Sequence, residues 1–319
     1  MPTSAPRPVP LSIITVVRND RAGLAATAAS LDRQTSRAFE WIVIDGASTD
    51  GCRDLLTART RGELSRDESP DEYINEYRSE TGRESARVSR AAGPVPGGGT
   101  LLWRSRPDRG PYDAMNHGLA LATGVYVQFL NAGDRLADSR TVARLLDASQ
   151  PSFGAPVPDM IYGDAFETDE DGSPMLKPAR SHRKAWYGMF AHHQAILYRR
   201  ALVADLRFDL GYPIGADYAF TLATLARARA IQSLPWPIVH MAPAGLSFRH
   251  ADRGRRDQYV IRRRHLGFSV PLATGIAAWQ WLTFRLRTDL PPLYRHFRCR
   301  PDPIAAPDPV RPRPGRARA

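Results

Sequence analysis

LSIITVVRNDRAGLAATAASLDRQTSRAFEWIVIDGASTDG, residues 11–51, is the stretch that decides the fold. Leu11 to Val17 is a short apolar run rich in β-branched residues, as a parallel strand covered on both faces requires. Between Arg21 and Gln34, Leu24, Ala28 and Leu31 recur at i, i+4 and i+7, the period of a helix with one buried face. Trp41 to Ile44 is a second strand, and it empties into the turn DGASTDG. Strand, helix, strand at this spacing is a βαβ unit, so the chain is expected to be an α/β protein with a mostly parallel central sheet flanked by helices.

Outward from that unit the pattern changes. From Thr57 to Thr100 the chain is polar and charged, ends in GPVPGGGT, and has local apolar character only from Tyr73 to Tyr77. It reads as a mobile insertion over about residues 57–100, with a small ordered lid as the alternative. Order resumes at Leu101. Asp113 is placed to cap a helix in which Met115, Leu119 and Ala122 share a face, Gly124 lets the chain leave it, and Val125 to Leu130 is the following strand. Further strands are expected at Asp159 to Gly163 and at Ala191 to Tyr198, with a turn at Asp169 to Pro174 and a helix from Asp217 to Ala230.

The 319 residues are 43% hydrophobic, enough for a sizeable core, and the formal charge is +11. Arginines crowd the last third, at 253, 255, 256 and 262–264 and in the Pro/Arg mixture from Pro291 onward. Such a surface attracts nucleic acid, anionic lipid or a phosphorylated small molecule, and composition does not choose among them. Cys52 and Cys299 have neither metal-like spacing nor a disulfide framework, which fits a reducing, cytoplasmic setting. Residues 1–8 read as a flexible lead without the apolar run of a secretion signal. Residues 9–250 read as the catalytic domain, 251–290 as a basic and apolar helical region, and 291–319 as a disordered tail. Leu266 to Phe284 is free of charge over 19 residues. Its internal Pro, Gly and Gln, two Trp and basic flanks suit an interfacial helix better than a span. Contact with the cytoplasmic face of a membrane and packing over the core both remain open for it.

In an open parallel sheet, ligands bind beyond the carboxyl ends of the strands. Asp20, Asp45 and Asp134 all fall at or near such ends. Asp45 can accept hydrogen bonds from a ribose or a base, while Ser48 and Asp50 suit a capping loop. There is no G-x-G-x-x-G after the first strand and no G-x-x-x-x-G-K-[ST], so something else must offset a phosphate charge. A divalent cation on Asp134 would do so, with Asn131 of the turn N-A-G-D adding an oxygen or aligning a water. The competing reading is a turn with an Asp cap. Asp217, at the mouth of its helix, is the best candidate base, against a pure helix-cap role. His192 and His193 precede Gln194, and His240 would complete a metal shell if the fold brings it near Asp134.

With these residues in order, the chain resembles the family 2 glycosyltransferases of the GT-A fold, in the branch that builds exopolysaccharides, colanic-acid-like polymers and glycolipids. The matching stretches are LSIITVVRND (11–20), EWIVIDGASTDG (40–51), RPDRGPYDAMNHGLALATGVYVQFLNAGD (106–134), YGD (162–164), HHQAILYRR (192–200) and GADYAF (215–220), covering roughly residues 9 to 250 apart from the polar insertion. The resemblance implies that Asp45 contacts the nucleobase of a nucleotide sugar and that Asn19 lies by the nucleotide pocket. It implies that Asp108, Arg109, Tyr112, Asp113 and Asn116 line the sugar and diphosphate region. Asp134 would hold Mn²⁺ or Mg²⁺, and Asp217 would activate the acceptor hydroxyl. The chain departs from the family in reading NAGD where many relatives have DSDD, and in the length of its insertion.

The expected chemistry is an inverting displacement at the anomeric carbon, from a nucleotide-diphosphate sugar to a saccharide or lipid-linked acceptor. A nucleotidyltransferase would want a Gly-rich, basic loop after the first strand, for which VVRNDRAGL is a poor substitute. A binding module for nucleic acid or an anionic surface is the reading from another class. The basic tail lacks interleaved aromatic platforms, so no nucleic acid is expected as a partner, and an anionic membrane surface is the better match.

Overall fold

The computed structural model describes residues 9–60, 64–65, 89–94, 99–151, 153–168, 173–242, 250–289 and 300–301. The flexible lead at 1–8 and nearly all of the disordered tail read from sequence lie outside the described residues, as do residues 169–172 of the expected turn.

The opening βαβ unit forms as its sequence requires. β1 (Leu11–Val17) is buried at every position and pairs in parallel with β2 (Phe39–Asp45), Leu11 opposite Phe39 and Val17 opposite Asp45. Between them α1 (Arg21–Asp32) is capped by Asp20, whose carboxylate accepts the Gly23 N–H at 2.8 Å, and it buries Leu24, Ala28 and Leu31. After β2 come α2 (Cys52–Arg59), β3 (Leu64–Ser65), β4 (Ser89–Pro94) and β5 (Thr100–Ser105). β5 runs parallel to β2, and β4 pairs antiparallel along the whole of β5. Of the polar insertion, β4 adds an edge to the sheet, while residues 61–63, 66–88 and 95–98, with the apolar stretch Tyr73 to Tyr77, lie outside the described residues.

α3 (Pro111–Leu121) crosses back to β6 (Tyr126–Phe129), parallel to β1. The helix lies directly on β1 because Gly118 has no side chain; a Cβ there would come within 2.4 Å of Ile14 Cγ2. β7 (Arg135–Leu136), α4 (Thr141–Ser149), β8 (Met160–Thr168), β9 (Pro174–Lys177), β10 (Ile196–Arg199), α5 (Arg200–Val203), α6 (Ala216–Arg227) and β11 (Ile231–His240) follow. Only β5, β2, β1 and β6 form the expected parallel block. β10 pairs antiparallel with both β6 and β8, β9 antiparallel with β8, and β11 parallel with β8. The sheet is thus mixed rather than mostly parallel. The chain passes from β9 to β10 through residues 178–195, which hold a 3-10 turn at His182–Lys184 and end in a second at His193–Ala195. That turn also moves the strand expected from Ala191 to a start at Ile196.

One face of the sheet buries Leu24, Trp41, Leu101 and Val142. The other buries Met115, Phe129, Phe208, Phe220 and Ile261. α7 (Ala251–His265) packs on α6, and α8 (Val270–Asp289) packs on α7. The side chain of Arg262 is fully buried and donates to the carbonyls of Trp186 and Tyr187. Gln280 of α8 donates to the same Tyr187 carbonyl at 2.7 Å, so one side of the charge-free segment does pack on the domain. Within the tail, β12 (Arg300–Pro301) pairs antiparallel with β9. Among the described residues no helix is long and apolar enough to cross a membrane.

Candidate active site

Because β1, β2, β5 and β6 are parallel, the loops that leave them meet at one edge of the sheet. The first two loops are laced together. Asn19 donates its N–H to Ser48 Oγ at 2.8 Å, Thr49 N–H donates to Asn19 Oδ1 at 2.8 Å, and Arg21 N–H donates to Asp50 at 2.7 Å. The backbone turns sharply in both, with φ of 51° at Asn19 and 59° at Ala47. Left-handed conformations cost an L residue energy and are kept where surrounding bonds enforce them.

Asp45 is fully buried. Its carboxylate accepts the Ser48 N–H at 3.2 Å and the Ser105 hydroxyl at 2.6 Å, so it ties the β2 exit loop to β5. Asp108 stands against that loop: a Cβ on Gly46 would fall 2.6 Å from Asp108 Oδ2. Burial raises the Asp108 carboxyl above its usual range, against the Gly110 N–H bond and the nearby charge of Arg18, which lower it. Arg18 and Arg109 are both exposed on this edge.

The stretch 106–117 is built on charge pairs under the surface. Asp113 is not the helix cap; Gly110 holds that position with Pro111 following, and Asp113 sits in the first turn. Its carboxylate reaches back to accept the Arg109 N–H at 3.0 Å, and lies 3.3 Å from the Arg109 guanidinium and 3.7 Å from His117 Nε2. Burial works to raise the Asp113 carboxyl, but the bonds from His117 and Arg109 win and hold it well below the usual carboxylate range. Burial lowers His117, which also meets Arg106. Asn116 is spent on the backbone of Phe208, donating to its carbonyl at 3.0 Å and accepting its N–H at 2.8 Å. Tyr112 stacks on Phe208 with ring centroids 5.6 Å apart, donates to the Ile214 carbonyl at 2.6 Å and lies 3.4 Å from Asp217 Oδ1.

Asp217 occupies the first turn of α6, with Oδ1 accepting the Tyr218 N–H at 2.8 Å. Its other oxygen lies 3.3 Å from His193 Nδ1, and His193 Nε2 lies 3.4 Å from the Asn131 amide nitrogen. A hydrogen on Nδ1 satisfies both contacts, since Nε2 is then the acceptor. The next residue, Gln194, donates to Asp134 Oδ2 at 2.9 Å, and Ala242 N–H donates to Asp134 Oδ1 at 2.8 Å. Asp134 is 3% exposed, and burial raises its carboxyl despite those bonds.

These residues do not fit a cation held by protein ligands alone. Asp134 is a single carboxylate with both oxygens already accepting, and no three His, Cys, Asp or Glu side chains among the described residues come together as a metal cage. The ring of His240 stacks on Phe166 with centroids 4.5 Å apart.

The fold therefore gathers Asn19, Asp45, Asp108, Arg109, Tyr112, Asn131, Asp134 and Asp217 at one sheet edge, with Asp113 and Asn116 beneath it as supports. Sequence reasoning missed His193 and Gln194 as a bridge between Asp217 and Asp134, although HHQ was among the quoted motifs. It also missed Asp257 of α7, which accepts the Ile214 and Gly215 N–H groups at 2.8 and 2.9 Å just before Asp217. No local pattern signals that contact, because it spans more than forty residues.

No family model matches the chain. Among solved structures it is similar to TarS 1–349 of S. aureus in complex with UDP-GlcNAc, with a TM-score of 0.53 and 17% identity over 88% of this chain and 74% of that one. It is similar as well to the mannosyltransferase PcManGT of Pyrobaculum calidifontis in complex with GDP-Man and Mn²⁺, with a TM-score of 0.51 and 15% identity over 85% and 73%. Both likenesses concern the fold. Among sequences, an uncharacterised glycosyltransferase of Mycobacterium tuberculosis (strain CDC 1551 / Oshkosh) is 31% identical over 224 residues, 69% of each chain. A PGL/p-HBAD biosynthesis glycosyltransferase of Mycobacterium bovis (strain BCG / Pasteur 1173P2) is 29% identical over 225 residues, 66% of this chain and 68% of the relative. With a relative 31% identical over 69% of each chain, the chain belongs to the family-2-like glycosyltransferases.

Proposed function

We propose that this protein moves a sugar from a nucleotide-diphosphate donor to a hydroxyl of a saccharide or lipid-linked acceptor, inverting the anomeric carbon, on a GT-A domain spanning about residues 9–250. The observation that carries the reading is the joined pair of carboxylates: Asp217 contacts His193, and Gln194 contacts Asp134, so two acidic groups from distant segments stand at one sheet edge. The names of the mycobacterial relatives, and the UDP-GlcNAc and GDP-Man carried by the two similar structures, support a nucleotide-sugar donor and a glycolipid or polysaccharide setting.

In the proposed step a carboxylate oxygen of Asp217 takes the acceptor proton. The acceptor oxygen bonds to the anomeric carbon as the bond from that carbon to the phosphate oxygen breaks, and the nucleoside diphosphate leaves with the electron pair. Exposed Arg18 and Arg109 offset the leaving charge, a task that the missing Gly-rich loop cannot perform. The laced loops of Asn19 and Asp45 shape the nucleotide side, Asp108 and Tyr112 the sugar side, and Asn131 holds His193. No step is assigned to a divalent cation, because the residues around Asp134 do not form a cage for one.

The test is release of nucleoside diphosphate from a panel of nucleotide sugars, with and without Mn²⁺, by the full chain and by Asp217→Asn. Turnover of at least one donor, lost by 10²-fold or more in the variant, is the expected result. No turnover and no calorimetric binding of any donor would sink the reading.

A further inference from the structure

α8 carries large apolar side chains on its solvent side, where a surface helix ordinarily presents polar ones. Its inward side includes Gln280, bonded to the Tyr187 carbonyl and to Gln258, and Thr283, 3.4 Å from the Tyr187 hydroxyl, beside buried Ala273 and Ile276. Its outward side carries Leu272, Trp279, Trp281 and Leu282, with Trp279 58% exposed and the other three near half, and no charge stands between Val270 and Phe284. Positive charge is densest at the start of the helix, where Arg263 and Arg264 are exposed at the end of α7. At its other end Arg285 lies over the Trp281 ring, its centre 6.0 Å from the ring centroid, and pairs with Asp289 at 3.0 Å.

We propose that this outward face of α8, with Arg263 and Arg264 beside its start, seats the protein on an anionic lipid surface. Tryptophans with apolar bodies and polar edges favour the headgroup level, and arginines reach from there to phosphate. The charge-free part of the helix is about 22 Å long at 1.5 Å per residue, short of the roughly 30 Å of a hydrocarbon core, so it lies on the bilayer and does not cross it. A second copy of the chain is the poorer occupant, because a two-fold contact through this face would set arginine rims of like sign against one another. The surface is also wired to the site. α7, on which α8 packs, holds through Asp257 the backbone of Ile214 and Gly215, three and two residues before Asp217. The purpose of the docking, to present the base to an acceptor in the membrane, rests on the transferase reading; the docking itself does not.

Flotation of the full chain with vesicles of phosphatidylcholine alone, or of phosphatidylcholine with 30% phosphatidylglycerol, tests the proposal. Binding to the anionic vesicles is expected, falling at least tenfold in Trp279→Glu/Leu282→Glu and several-fold in Arg263→Ala/Arg264→Ala, while donor hydrolysis in solution stays unchanged in both. Equal flotation of the Trp279→Glu/Leu282→Glu variant and the parent, or no binding to anionic vesicles, would overturn it. So would a lipid-free dimer that the Trp279→Glu/Leu282→Glu variant converts to monomer. If vesicle binding holds and donor turnover is absent, the transferase reading alone has failed.

Discussion

His193 Nδ1 stands 3.3 Å from Asp217 Oδ2, and this single contact ties the helix that carries the proposed base to the segment entering β10. The imidazole is held from behind by the Asn131 amide, 3.4 Å from Nε2. On the proposed mechanism His193 is a positioning residue for Asp217, and its neighbour Gln194 contacts Asp134 in the same way.

Replacing His193 with Ala is expected to lower kcat by about 10- to 100-fold, the scale on which misplaced catalytic groups act, while donor KM changes less than threefold. His193→Gln should recover part of the loss, since its amide can still donate to Asp217. A merely structural role would move stability and leave the kcat against KM split unmoved. Steady-state kinetics of both variants, with urea denaturation alongside, decide the matter.

Asp134 makes a second expectation concrete. Its two oxygens accept from Ala242 and Gln194, so Asp134→Asn turns an amide hydrogen toward a donor and leaves a buried bond unmade. A loss of about 1–3 kcal/mol in folding stability is expected. Burial raises its carboxyl, so the stability linked to this shift is fully present below its ordinary value and is lost as pH rises through the raised one. Calorimetric titration of the nucleotide-free protein with Mn²⁺ should show no stoichiometric binding at micromolar concentrations. A tight site that Asp134→Asn removes would show that the carboxylate exchanges its internal partners for metal.

Asp113 behaves in the opposite sense. Its carboxyl is held below the usual range by His117 and Arg109, so its contribution is present above its ordinary value of 3.8 and is lost as pH falls through the depressed one. Asp113→Asn should cost about 1–3 kcal/mol near neutrality, with the gap to the parent narrowing below pH 3.8. Chemical denaturation across that range reads it directly; a gap independent of pH would mean that charge is not what Asp113 supplies.

Much of this was legible in the chain. The β1–α1–β2 unit announced itself through local periodicity, and the acidic strand ends pointed to one sheet edge. What stayed hidden are contacts between segments whose pairing has no local cause. β4 runs through an Ala, Gly and Pro stretch that no strand propensity favours, yet β5 offers it a complete edge. Asp45 reads as a ligand-facing carboxylate because it ends a buried strand; only the register opposite Ser105 reveals that it also accepts the Ser105 hydroxyl. Asn116 likewise reads as a site residue until Phe208 is seen on both of its amide atoms.

Ala47 offers the last test, because its φ of 59° is a conformation an L residue adopts only under constraint. The left-handed region costs such a residue about 1–2 kcal/mol, whereas glycine in its place forfeits about 0.5–1 kcal/mol of chain entropy. Ala47→Gly should therefore stabilise the protein by up to about 1 kcal/mol, and Ala47→Val, β-branched at a position with positive φ, should destabilise it by more than that. If the turn at 46–49 is tensed to receive the nucleotide, the glycine variant gains stability and binds nucleoside diphosphate more weakly, because the loop must then be ordered by the ligand. Unfolding curves paired with calorimetric nucleotide binding separate the two effects: a gain in stability with unchanged affinity would show that the strain serves the fold, bracing β2 against β5, and has no part in holding the donor.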